Sequence, residues 1–389
     1  MSRKTIVYFS ARYLPSFGGV EQYTHNLAAQ LARSGHKVCV VTCEKGPQDD
    51  IEQFDGGGTL EVCRLDSWGW SRVPFVAWTG RTRAALRHVD ALQPDYSLIN
   101  TRFYGLSRLG ARRMGRLGVR SVLVDHGTNY VSVGSKLASR GIQALEHVLT
   151  ERLKRLPVDF YGVSKGSSRW LATFGITSCG EINNALDADT FAGAASDRVF
   201  AEGDHTGQSL RVAFAARLIA EKGADTIIDV ARAFAPAGNV EFFVAGAGPL
   251  EEEVRAAANE LPNLFFVGRL DHPDLAALLS QSDVFLLPTR YGEGLPTSLL
   301  EAAACGCALV STKTGGTEEI IPTEEHGVVL ETTGADEITH VLTELAGDPA
   351  RTKRLKETAR NYVRERFTWR RTMDQALKAC ESAQRKGTR

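Results

Sequence analysis

Long apolar runs are missing from this sequence of 389 residues. No stretch of about 18 consecutive apolar residues occurs, so the sequence predicts no membrane-spanning helix. The apolar stretch Thr5–Phe9 near the amino end is shorter than the core of a secretion signal. We therefore expect a protein of the cytoplasm.

Cysteine patterns typical of metal sites or disulfide scaffolds are missing as well. The seven cysteines are an odd number, and the sequence contains neither a Cys-x-x-Cys pair nor a neighbouring Cys and His set with zinc spacing. Scattered cysteines of this kind are typical of a reducing compartment, where thiols stay free and mostly buried. We expect reduced cysteines and no metal site.

An excess of one charge is absent too, because 46 Lys and Arg balance 46 Asp and Glu. The balance conceals a division along the chain. Residues 1–185 carry 24 basic and 15 acidic side chains, a net charge of +9, whereas residues 186–389 carry 22 and 31, a net charge of −9. This division suits an amino-terminal half that faces an anionic partner.

The composition that is present is typical of a globular protein, with 43% hydrophobic and 24% charged residues. The length exceeds what one hydrophobic core usually serves, which predicts two domains. Both halves repeat a strand, loop and helix pattern, beginning with the apolar strands Lys4–Ser10 and Leu210–Ala216. The repeated pattern predicts an α/β fold. One stretch, from about Gly56 to Pro74, shows no regular pattern.

Two carboxylates, Glu293 and Glu301, lie eight residues apart in one loop and helix segment. Gly294 and Pro296 indicate that Glu293 lies in the loop and Glu301 in the first helical turn. Both can then border one pocket at a helix amino terminus, where free N–H groups favour a phosphate. Two simpler interpretations stay open. Ser298-x-x-Glu301 has the spacing of a capping box, and Glu293 is typical of a solvated loop carboxylate.

Glycines mark two other turns between a strand and a helix. Gly18 and Gly19 precede an amphipathic helix, and Gly246 and Gly248 open another helix after the strand Val240–Ala245. Without Cβ atoms, such turns let the backbone approach a ligand at a helix start. Neither turn has the G-x-G-x-x-G spacing of a dinucleotide site. For Gly18 and Gly19, a turn that merely starts a helix is the alternative.

Two basic residues, Arg217 and Lys222, follow the strand Leu210–Ala216 and precede Gly223. One strand end and one turn present them five residues apart. Two cations so placed can neutralise a diphosphate, as Mg²⁺ does elsewhere. A surface pair without function is the simpler alternative.

His126 follows the predicted strand Val119–Val124, next to Gly127. A single histidine is more often structural than catalytic. A histidine just past the carboxyl end of a strand nevertheless lies where open α/β sheets bind ligands. From the residues alone, both interpretations of His126 stay open.

A basic stripe is predicted on the helix that follows the strand Tyr96–Asn100. Its members, Arg108, Arg112 and Arg116, lie four residues apart and so share a helix face. Such a stripe is usually a solvated face. The alternative is contact with an anionic bilayer or a lipid-diphosphate acceptor, which the basic amino-terminal half and an aromatic pair favour. That pair is Trp68 and Trp70.

The segment Gly292–Gly306 reads Gly-Glu-Gly-Leu-Pro-Thr-Ser-Leu-Leu-Glu-Ala-Ala-Ala-Cys-Gly and resembles the E-x7-E segment of family-four glycosyltransferases, which are retaining enzymes of the two-domain GT-B fold. The stretch from Ala216 to Gly223 is similar to the family's Gly-Arg-Leu-x-x-x-Lys-Gly, with alanine as its first residue. Gly18-Gly-Val-Glu is similar to the family's Gly-Gly-x-Glu. Glu181–Asp187 resembles the interdomain segment, although Asn-Asn-Ala replaces its usual proline and glycine.

The resemblance implies an α/β protein of the GT-B fold, with two Rossmann-like, doubly wound domains facing across a cleft. The implied divisions are an acceptor-binding domain at 1–187, a linker at 188–208, a domain for the nucleotide-sugar donor at 209–367, and a final helix at 368–389 that returns toward the first domain. Trp369 would anchor that return.

The resemblance also implies roles for individual residues. Arg217 and Lys222 would hold the diphosphate and stabilise its departure, Glu301 would bond the ribose hydroxyls, and Glu293 would hold sugar hydroxyls and phosphate. His126 would lie near the transferred sugar. The implied catalytic residues are Glu293, His126, Arg217 and Lys222. The implied donor-binding residues are Gly18, Gly19, Arg217, Lys222, Gly246, Gly248, Gly294, Leu295 and Glu301.

The implied reaction moves a sugar, with retention of configuration, from a UDP-sugar in preference to a GDP-sugar onto a glycan or lipid-linked saccharide of cell-surface synthesis. Because two cations serve the diphosphate, we expect no metal and no further cofactor. We expect no nucleic-acid partner, and the basic first domain adds peripheral contact with the inner face of the membrane as an alternative to a free cytoplasmic protein. A GT-B epimerase or phosphorylase, and a nucleotide-sugar-binding protein without turnover, stay open as alternatives.

Overall fold

The computed structural model describes residues 2–16, 18–46, 51–70, 73–130, 136–200 and 209–387. The chain forms two compact units, of which the first comprises Met1–Asn184 with Trp369–Arg389 and the second comprises Ala185–Thr368. The last helix thus belongs to the first unit, as predicted. With that helix included, the first unit carries 30 basic and 17 acidic side chains, a net charge of +13, and the second carries −13.

Fifteen strands occur in the described part of the chain. They are β1 (Thr5–Phe9), β2 (Lys37–Thr42), β3 (Glu52–Gln53), β4 (Thr59–Arg64), β5 (Ser67–Trp70), β6 (Val73–Val76), β7 (Tyr96–Asn100), β8 (Ser121–Asp125), β9 (Val158–Gly162), β10 (Leu210–Ala215), β11 (Val240–Ala245), β12 (Leu264–Gly268), β13 (Val284–Leu287), β14 (Ala308–Thr312) and β15 (Val328–Leu330).

Fourteen α-helices alternate with these strands in the same described residues, and one 3₁₀ turn covers Ala220–Lys222. The helices are α1 (Gly19–Arg33), α2 (Gly80–Ala91), α3 (Gly105–Arg116), α4 (Lys136–Lys154), α5 (Lys165–Ala172), α6 (Ala188–Gly193), α7 (Ala224–Phe234), α8 (Glu251–Glu260), α9 (His272–Ser280), α10 (Thr297–Cys305), α11 (Thr317–Ile320), α12 (Ala335–Gly347), α13 (Pro349–Arg366) and α14 (Trp369–Gly387).

The sheet of the first unit has the order β3-β4-β2-β1-β7-β8-β9. Neighbouring strands are parallel throughout, except for the antiparallel pair of β3 and β4 at one edge. Strands β7, β8 and β9 are buried along their whole length, which is typical of a parallel sheet covered on both faces. The predicted α/β class is confirmed.

The sheet of the second unit is parallel throughout, in the order β12-β11-β10-β13-β14-β15. Its core packs apolar strand residues such as Val212, Phe214 and Phe242 against helices α7, α8 and α12. Taken in chain order, the strands run 3-2-1-4-5-6, and the parallel strands of the first unit do the same. The order therefore reverses between β1 and β7 in one unit and between β10 and β13 in the other. At such a point the connections leave in opposite directions, and a crevice opens at the carboxyl ends of the strands.

The prediction of an irregular stretch from Gly56 to Pro74 is wrong. Strand β4 lies within it and pairs with β2 in the register Lys37↔Thr59, and β5 and β6 form a separate antiparallel hairpin. The three glycines before β4 and its mixed burial weaken the alternation that would reveal a strand. Pairing with β2 stabilises this strand in spite of its weak pattern.

The segment predicted as a linker contains ordered structure at its start. Helix α6 begins after Asp187, whose carboxylate accepts a hydrogen bond from the Thr190 N–H at 3.1 Å. Phe191 is buried, and its ring lies edge-on to that of His272. The predicted linker continues through described residues that bond to α9 and the residue after it, since the Ser196 hydroxyl donates to Asp274 at 2.7 Å and the Phe200 N–H donates to Gln281 at 3.0 Å. Residues 201–208 lie outside the described residues. A helix that caps itself and buries an aromatic ring belongs to the second unit, and it does not serve as a free connection.

Candidate active site

The turn after β10 carries the two cations predicted from the sequence. Arg217 is exposed, and Lys222 closes the 3₁₀ turn. Gly223 follows with a φ of +80°, and a Cβ atom there would lie 2.4 Å from the carbonyl oxygen of Pro288. Only glycine accepts both this φ and this close approach, so Gly223 places the turn directly against the carboxyl end of β13.

The carbonyl oxygen of Glu221 joins this turn to the loop after β13. It accepts the N–H groups of Arg290 at 2.8 Å and Tyr291 at 3.1 Å, and the hydroxyl of Thr289 at 3.1 Å. Because β10 and β13 are neighbours at the point where the strand order reverses, one acceptor suffices to hold both loops together. This contact brings Lys222 to Glu293.

Lys222 and Glu293 form an ion pair in which the ammonium contacts one carboxylate oxygen. The two side chains are only 20% and 17% exposed. Burial and repulsion from Arg217 lower the pKa of Lys222 to about 8, whereas the Glu293 carboxylate favours the charged ammonium. The interpretation of Glu293 as a solvated loop residue is therefore wrong. An incoming diphosphate would compete with this carboxylate for Lys222.

The backbone of Glu293 is fixed by a glycine of the next loop. Gly315, which follows β14, has a φ of +52°, and a Cβ atom there would lie 1.4 Å from the carbonyl oxygen of Glu293. Any side chain at this position would displace the Glu293 loop. Gly315 is thus required for the geometry of the ion pair with Lys222.

Helix α10 begins directly after this loop, with Pro296 as its N-cap residue and no side chain bonded to its first N–H groups. Those N–H groups stay available to a ligand, and the helix dipole favours an anion there. Gly294 is partly exposed and Leu295 is buried. Contact of their backbone with a phosphate stays a prediction.

The capping-box interpretation of Glu301 is wrong. The helix starts at Thr297, which places Ser298 inside the first turn and Glu301 at the fifth helical position, in the second turn. No hydrogen-bond partner occurs for the Glu301 carboxylate among the described residues. Burial raises the pKa of this carboxyl to about 7. A carboxylate that is buried without a partner is suited to receive hydroxyl donors from a ligand.

Gly246 and Gly248 pack against the backbone that carries Arg217. A Cβ atom at Gly246 would lie 2.0 Å from the carbonyl oxygen of Ala216, and one at Gly248 would lie 2.5 Å from that of Leu218. Gly246 also has a φ of +146°. The observed role of these glycines is to let the turn after β11 support the Arg217 segment. Their direct contact with a nucleotide stays a prediction.

In the first unit, Gly18 is the N-cap residue of α1 and Gly19 is its first residue, and the two glycines differ in their surroundings. The Glu21 carboxylate fills the space beside Gly18, where a Cβ atom would lie 2.4 Å from its oxygen, whereas nothing lies within 4 Å of a Cβ atom at Gly19. No side chain caps the first turn of α1. Glu21 is buried and forms an ion pair with Arg12 at 3.1 Å. Gly19 therefore exposes backbone at a helix start.

His126 lies at the end of β8, partly buried, with its Nε2 atom 3.1 Å from Oδ1 of Asn100. The ring of Tyr23 packs edge-on against the imidazole, with 4.7 Å between the ring centroids. Burial lowers the pKa of His126 to about 3. The imidazole is therefore neutral near pH 7. The Trp369 ring also packs edge-on against the Tyr23 ring, with 5.9 Å between the ring centroids.

A buried ion network supports the strand end before His126. The Arg102 guanidinium donates to Asp125 at 3.0 Å, to Glu146 at 2.6 Å and to Thr150 at 3.1 Å. Its carbon also lies 3.6 Å from the centroid of the Phe174 ring. Arg102, Asp125 and Glu146 are each no more than 3% exposed. One buried cation thus serves two buried carboxylates.

Two functional candidates escape the sequence analysis. Glu21 is polar and follows a glycine pair, and its burial against Gly18 depends on the fold. Asn100 ends a predicted strand, which offers the only signal that could have found it. A polar residue at a carboxyl strand end lies near the crevice of a doubly wound sheet, as His126 does.

No group of three His, Cys, Asp or Glu side chains in the described ranges is arranged to hold a metal ion. Asp187 and Asp189 have the Asp-x-Asp spacing of some metal sites, but Asp187 caps α6 and Asp189 pairs with Arg364 at 2.7 Å. Across those same ranges, no helix is both long and apolar enough to cross a bilayer.

Comparison with protein families gives two matches that together span most of the chain. Residues 196–362 match the model described as "Glycosyl transferases group 1". Residues 17–189 match the model described as "Glycosyltransferase Family 4". The first match contains the Arg217, Lys222, Glu293 and Glu301 positions, and the second contains Gly18, Gly19 and His126.

Similar proteins include a "GDP-mannose-dependent alpha-(1-6)-phosphatidylinositol monomannoside mannosyltransferase" of Mycolicibacterium smegmatis, 28% identical over 92% of this chain and 93% of that protein. A "GDP-mannose-dependent monoacylated alpha-(1-6)-phosphatidylinositol monomannoside mannosyltransferase" of Corynebacterium glutamicum is 31% identical over 166 residues, which span 41% of this chain and 43% of that relative.

Similar solved structures include a sucrose-phosphate synthase from Thermosynechococcus elongatus, with a TM-score of 0.71, 18% identity, and coverage of 98% of this chain and 99% of that one. Anabaena HepE in complex with UDP-glucose has a TM-score of 0.70 at 17% identity, over 98% of this chain and all of that one. At these identities the likeness concerns the fold.

Proposed function

The chain belongs to the family-four glycosyltransferases of the GT-B fold, and on that premise we propose that its second unit binds a nucleoside-diphosphate sugar whose sugar is transferred with retention of configuration. The observation that carries this proposal is the Lys222–Glu293 ion pair beside Arg217, at the crevice between β10 and β13. Two cations and the free N–H groups of α10 offer positive charge where a diphosphate would leave.

Each part of the donor has a chemically matched group in this unit. Arg217 and Lys222 would bind the diphosphate, because a guanidinium and an ammonium both pair with phosphate oxygens. Glu301 would accept hydrogen bonds from the ribose hydroxyls, which gives its unpartnered carboxylate two donors. Glu293, once released from Lys222, would accept from hydroxyls of the sugar. The cations would take the place of a metal, so transfer would proceed in excess EDTA.

Retention fits a site of this composition. A same-face reaction draws its rate from positioning and from stabilisation of the departing diphosphate, and it needs no enzymic nucleophile. The second unit supplies those two effects through its cations, glycines and helix N–H groups, and the proposed roles of its carboxylates Glu293 and Glu301 are to accept hydrogen bonds from donor hydroxyls. The anomeric proton of the product, measured by NMR, distinguishes retention from inversion.

A GDP-sugar is the first donor to test. Two relatives that match 92% of the chain are named GDP-mannose-dependent mannosyltransferases of phosphatidylinositol mannosides. The preference for UDP expected from the sequence has weaker support, because the UDP-glucose complex is a structural neighbour of only 17% identity. We propose GDP-mannose as donor, UDP-glucose as the second choice, and a lipid-linked saccharide as acceptor.

Calorimetric titration of the purified chain in excess EDTA tests the donor site. We expect GDP-mannose or UDP-glucose to bind with a Kd of about micromolar order, with no binding of NAD. Arg217→Ala should abolish this binding. Arg232→Ala should leave it unchanged, because that exposed arginine on α7 pairs only with Asp229. Binding of NAD alone, or of no nucleotide, would refute the proposed donor site.

The pH dependence of the same titration tests Glu301. With a pKa of about 7 in the free protein, the carboxyl is mostly protonated at pH 6 and must lose its proton to accept from ribose hydroxyls. Deprotonation of Glu301 alone raises donor affinity about tenfold from pH 6 to pH 8, and loss of about half of the Lys222 charge at its pKa of about 8 reduces the expected rise to about fivefold. The intact nucleotide sugar is the ligand of choice, and Glu301→Gln should flatten the dependence. An equal dependence in Glu301→Gln would assign it to another group.

Product analysis separates the remaining alternatives. An epimerase changes the sugar nucleotide without any acceptor, and a phosphorylase requires free phosphate. A binding protein gives the calorimetric signal and no product. Transfer that depends on an added saccharide acceptor, and not on phosphate, supports the glycosyltransferase.

A surface of the first unit supports a membrane location for the acceptor. Trp68 and Phe75 stack on the β5–β6 hairpin with ring centroids 5.0 Å apart, and Trp78 follows. These three side chains are 65%, 46% and 58% exposed. The side chain of Trp70 lies outside the described residues. Exposed aromatic rings on a hairpin are typical of interfacial contact with a bilayer.

Helix α3 packs against β6 of this hairpin and carries the predicted stripe. Arg108, Arg112 and Arg116 are exposed, and they have no ion-pair partner within the described residues. Each such cation contributes about 1 kcal/mol near an anionic surface. We propose that the hairpin and the stripe together, which we call the aromatic–basic surface, bind an anionic membrane.

Sedimentation with vesicles tests this surface. We expect binding to phosphatidylcholine vesicles that contain phosphatidylserine, and weaker binding without it or at high salt. The double variant Arg108→Glu, Arg112→Glu should lose the binding. Arg232→Glu, Arg255→Glu makes the same charge change on the second unit and should retain it. Equal binding by both variants would count against the aromatic–basic surface.

A further inference from the structure

A chain of buried hydrogen bonds runs beneath His126 in the first unit. The Thr24 hydroxyl lies 2.7 Å from the carbonyl oxygen of Val20 and 2.6 Å from Nδ2 of Asn100. Oδ1 of Asn100 lies 3.1 Å from the Tyr8 hydroxyl and 3.1 Å from Nε2 of His126. Tyr8, Thr24 and Asn100 are each at most 1% exposed. The chain joins β1, α1 and β7 to the end of β8.

The direction of these bonds follows from one carbonyl. The Val20 oxygen only accepts, so the single hydroxyl hydrogen of Thr24 must point to it. Thr24 then can only accept from Asn100, which places the Asn100 NH₂ group toward Thr24 and its oxygen toward Tyr8 and His126. The opposite amide orientation would require Thr24 to donate twice. One orientation therefore satisfies the contacts of Thr24 with Val20 and Asn100 and those of Asn100 with Tyr8 and His126. The Ser10 hydroxyl lies 3.1 Å from that of Thr24, and at this contact only Ser10 can donate.

The tautomer of His126 follows in turn. Because the Asn100 oxygen only accepts, Nε2 of His126 must carry a hydrogen. The ring is neutral near pH 7, as derived above, so Nδ1 carries none. Nδ1 has no hydrogen-bond partner in the part of the chain that the structure describes. The lone pair of Nδ1 is therefore a hydrogen-bond acceptor that no described residue uses.

We propose that Asn100, oriented by Thr24, is a positioning residue that fixes His126 as the Nε2–H tautomer and leaves Nδ1 as a hydrogen-bond acceptor. The inference rests on the hydrogen bonds of the first unit alone. It predicts a direction. A ligand group that binds at Nδ1 must donate the hydrogen bond, and a group that only accepts cannot bind there.

Nitrogen NMR of the free protein tests the tautomer without any substrate. The chain has nine histidines, so ¹⁵N-histidine spectra of the wild type and of His126→Gln assign the His126 signals by difference. We expect one neutral tautomer near pH 7, with the proton on Nε2. A proton on Nδ1, or an imidazolium at pH 7, would overturn the proposal.

The pair Thr24→Ser and Thr24→Val tests the positioning role. Serine keeps the hydroxyl that orients Asn100, and valine keeps the shape without it. We expect a single Nε2–H tautomer in Thr24→Ser and a mixture of two tautomers in Thr24→Val. The serine variant also controls for packing changes at this site, because it removes one buried methyl group and keeps the hydroxyl. An unchanged tautomer in a folded Thr24→Val variant would show that Thr24 and Asn100 do not set the tautomer of His126.

Discussion

Replacement of Lys222 by alanine is expected to lower kcat/KM by about 10²–10³-fold, the range observed when one preorganised group that stabilises a departing charge is lost. Lys222 lies beside Arg217, is largely buried, and already holds a carboxylate in the free protein. The variant loses a cation at the diphosphate and also leaves Glu293 without its partner. The first change removes an attraction for the anionic donor and the second adds a repulsion, so donor affinity should fall together with kcat.

Two further variants separate these effects. Glu293→Gln keeps the Lys222 cation and removes its competitor, so nucleoside diphosphate alone should bind at least as tightly as to the wild type, while transfer falls because the sugar loses an acceptor. Arg232→Ala, an exposed arginine on α7 of the same unit, should change neither quantity. Wild-type transfer by Lys222→Ala would contradict the proposed donor site, because the largely buried cation that already pairs with Glu293 would then have no part in departure of the diphosphate.

Replacement of Arg102 by leucine is expected to lower the free energy of unfolding of the first unit by about 3–5 kcal/mol. The variant leaves Asp125 and Glu146 buried without the cation that both contact. Removing one member of a buried ion network costs more than the network contributes, because the remaining charges lose both water and partner. Urea unfolding measures the change, and hydrogen exchange at β7 and β8 assigns it to the first unit.

Lys4→Leu serves as the control, since it removes an exposed ion pair with Asp95 in the same unit and should cost no more than about 1 kcal/mol. The pH dependence gives a second check. Burial raises the pKa of Asp125 and of Glu146, and Arg102 opposes that rise. Without Arg102 both pKa values rise further. Stability of the variant is then retained at low pH, where the carboxyls are protonated, and lost as pH increases. A deficit that is the same at pH 5 and pH 8 would exclude this explanation.

Much of the fold and part of the site can be derived from the sequence alone. Apolar runs followed by glycine turns predict the strands and helices, because burial and backbone freedom act locally. Arg217 and Lys222 stand out for the same reason, since a strand end and a glycine-bounded turn lie within a few residues of them. The weak strand β4 is the exception, because its pairing with β2 compensates for a poor pattern.

The pairing of Lys222 with Glu293 was decided by the tertiary structure. The two residues are 71 positions apart, and they meet because β10 and β13 are neighbours and the Glu221 carbonyl joins their loops. Strand order depends on packing over the whole unit, so no local pattern contains it. The start of α10 at Thr297, which excludes the capping box for Glu301, is likewise set by how this loop packs against Gly315.

The hydrogen-bond chain from Thr24 to His126 shows the same division. The sequence by itself determined that His126 ends a strand where ligands bind, because that depends on one strand and one turn. Only the tertiary structure decided which nitrogen of that histidine carries the proton. Four separate elements supply the chain, and the direction of each bond is settled when all of their donors and acceptors are satisfied together.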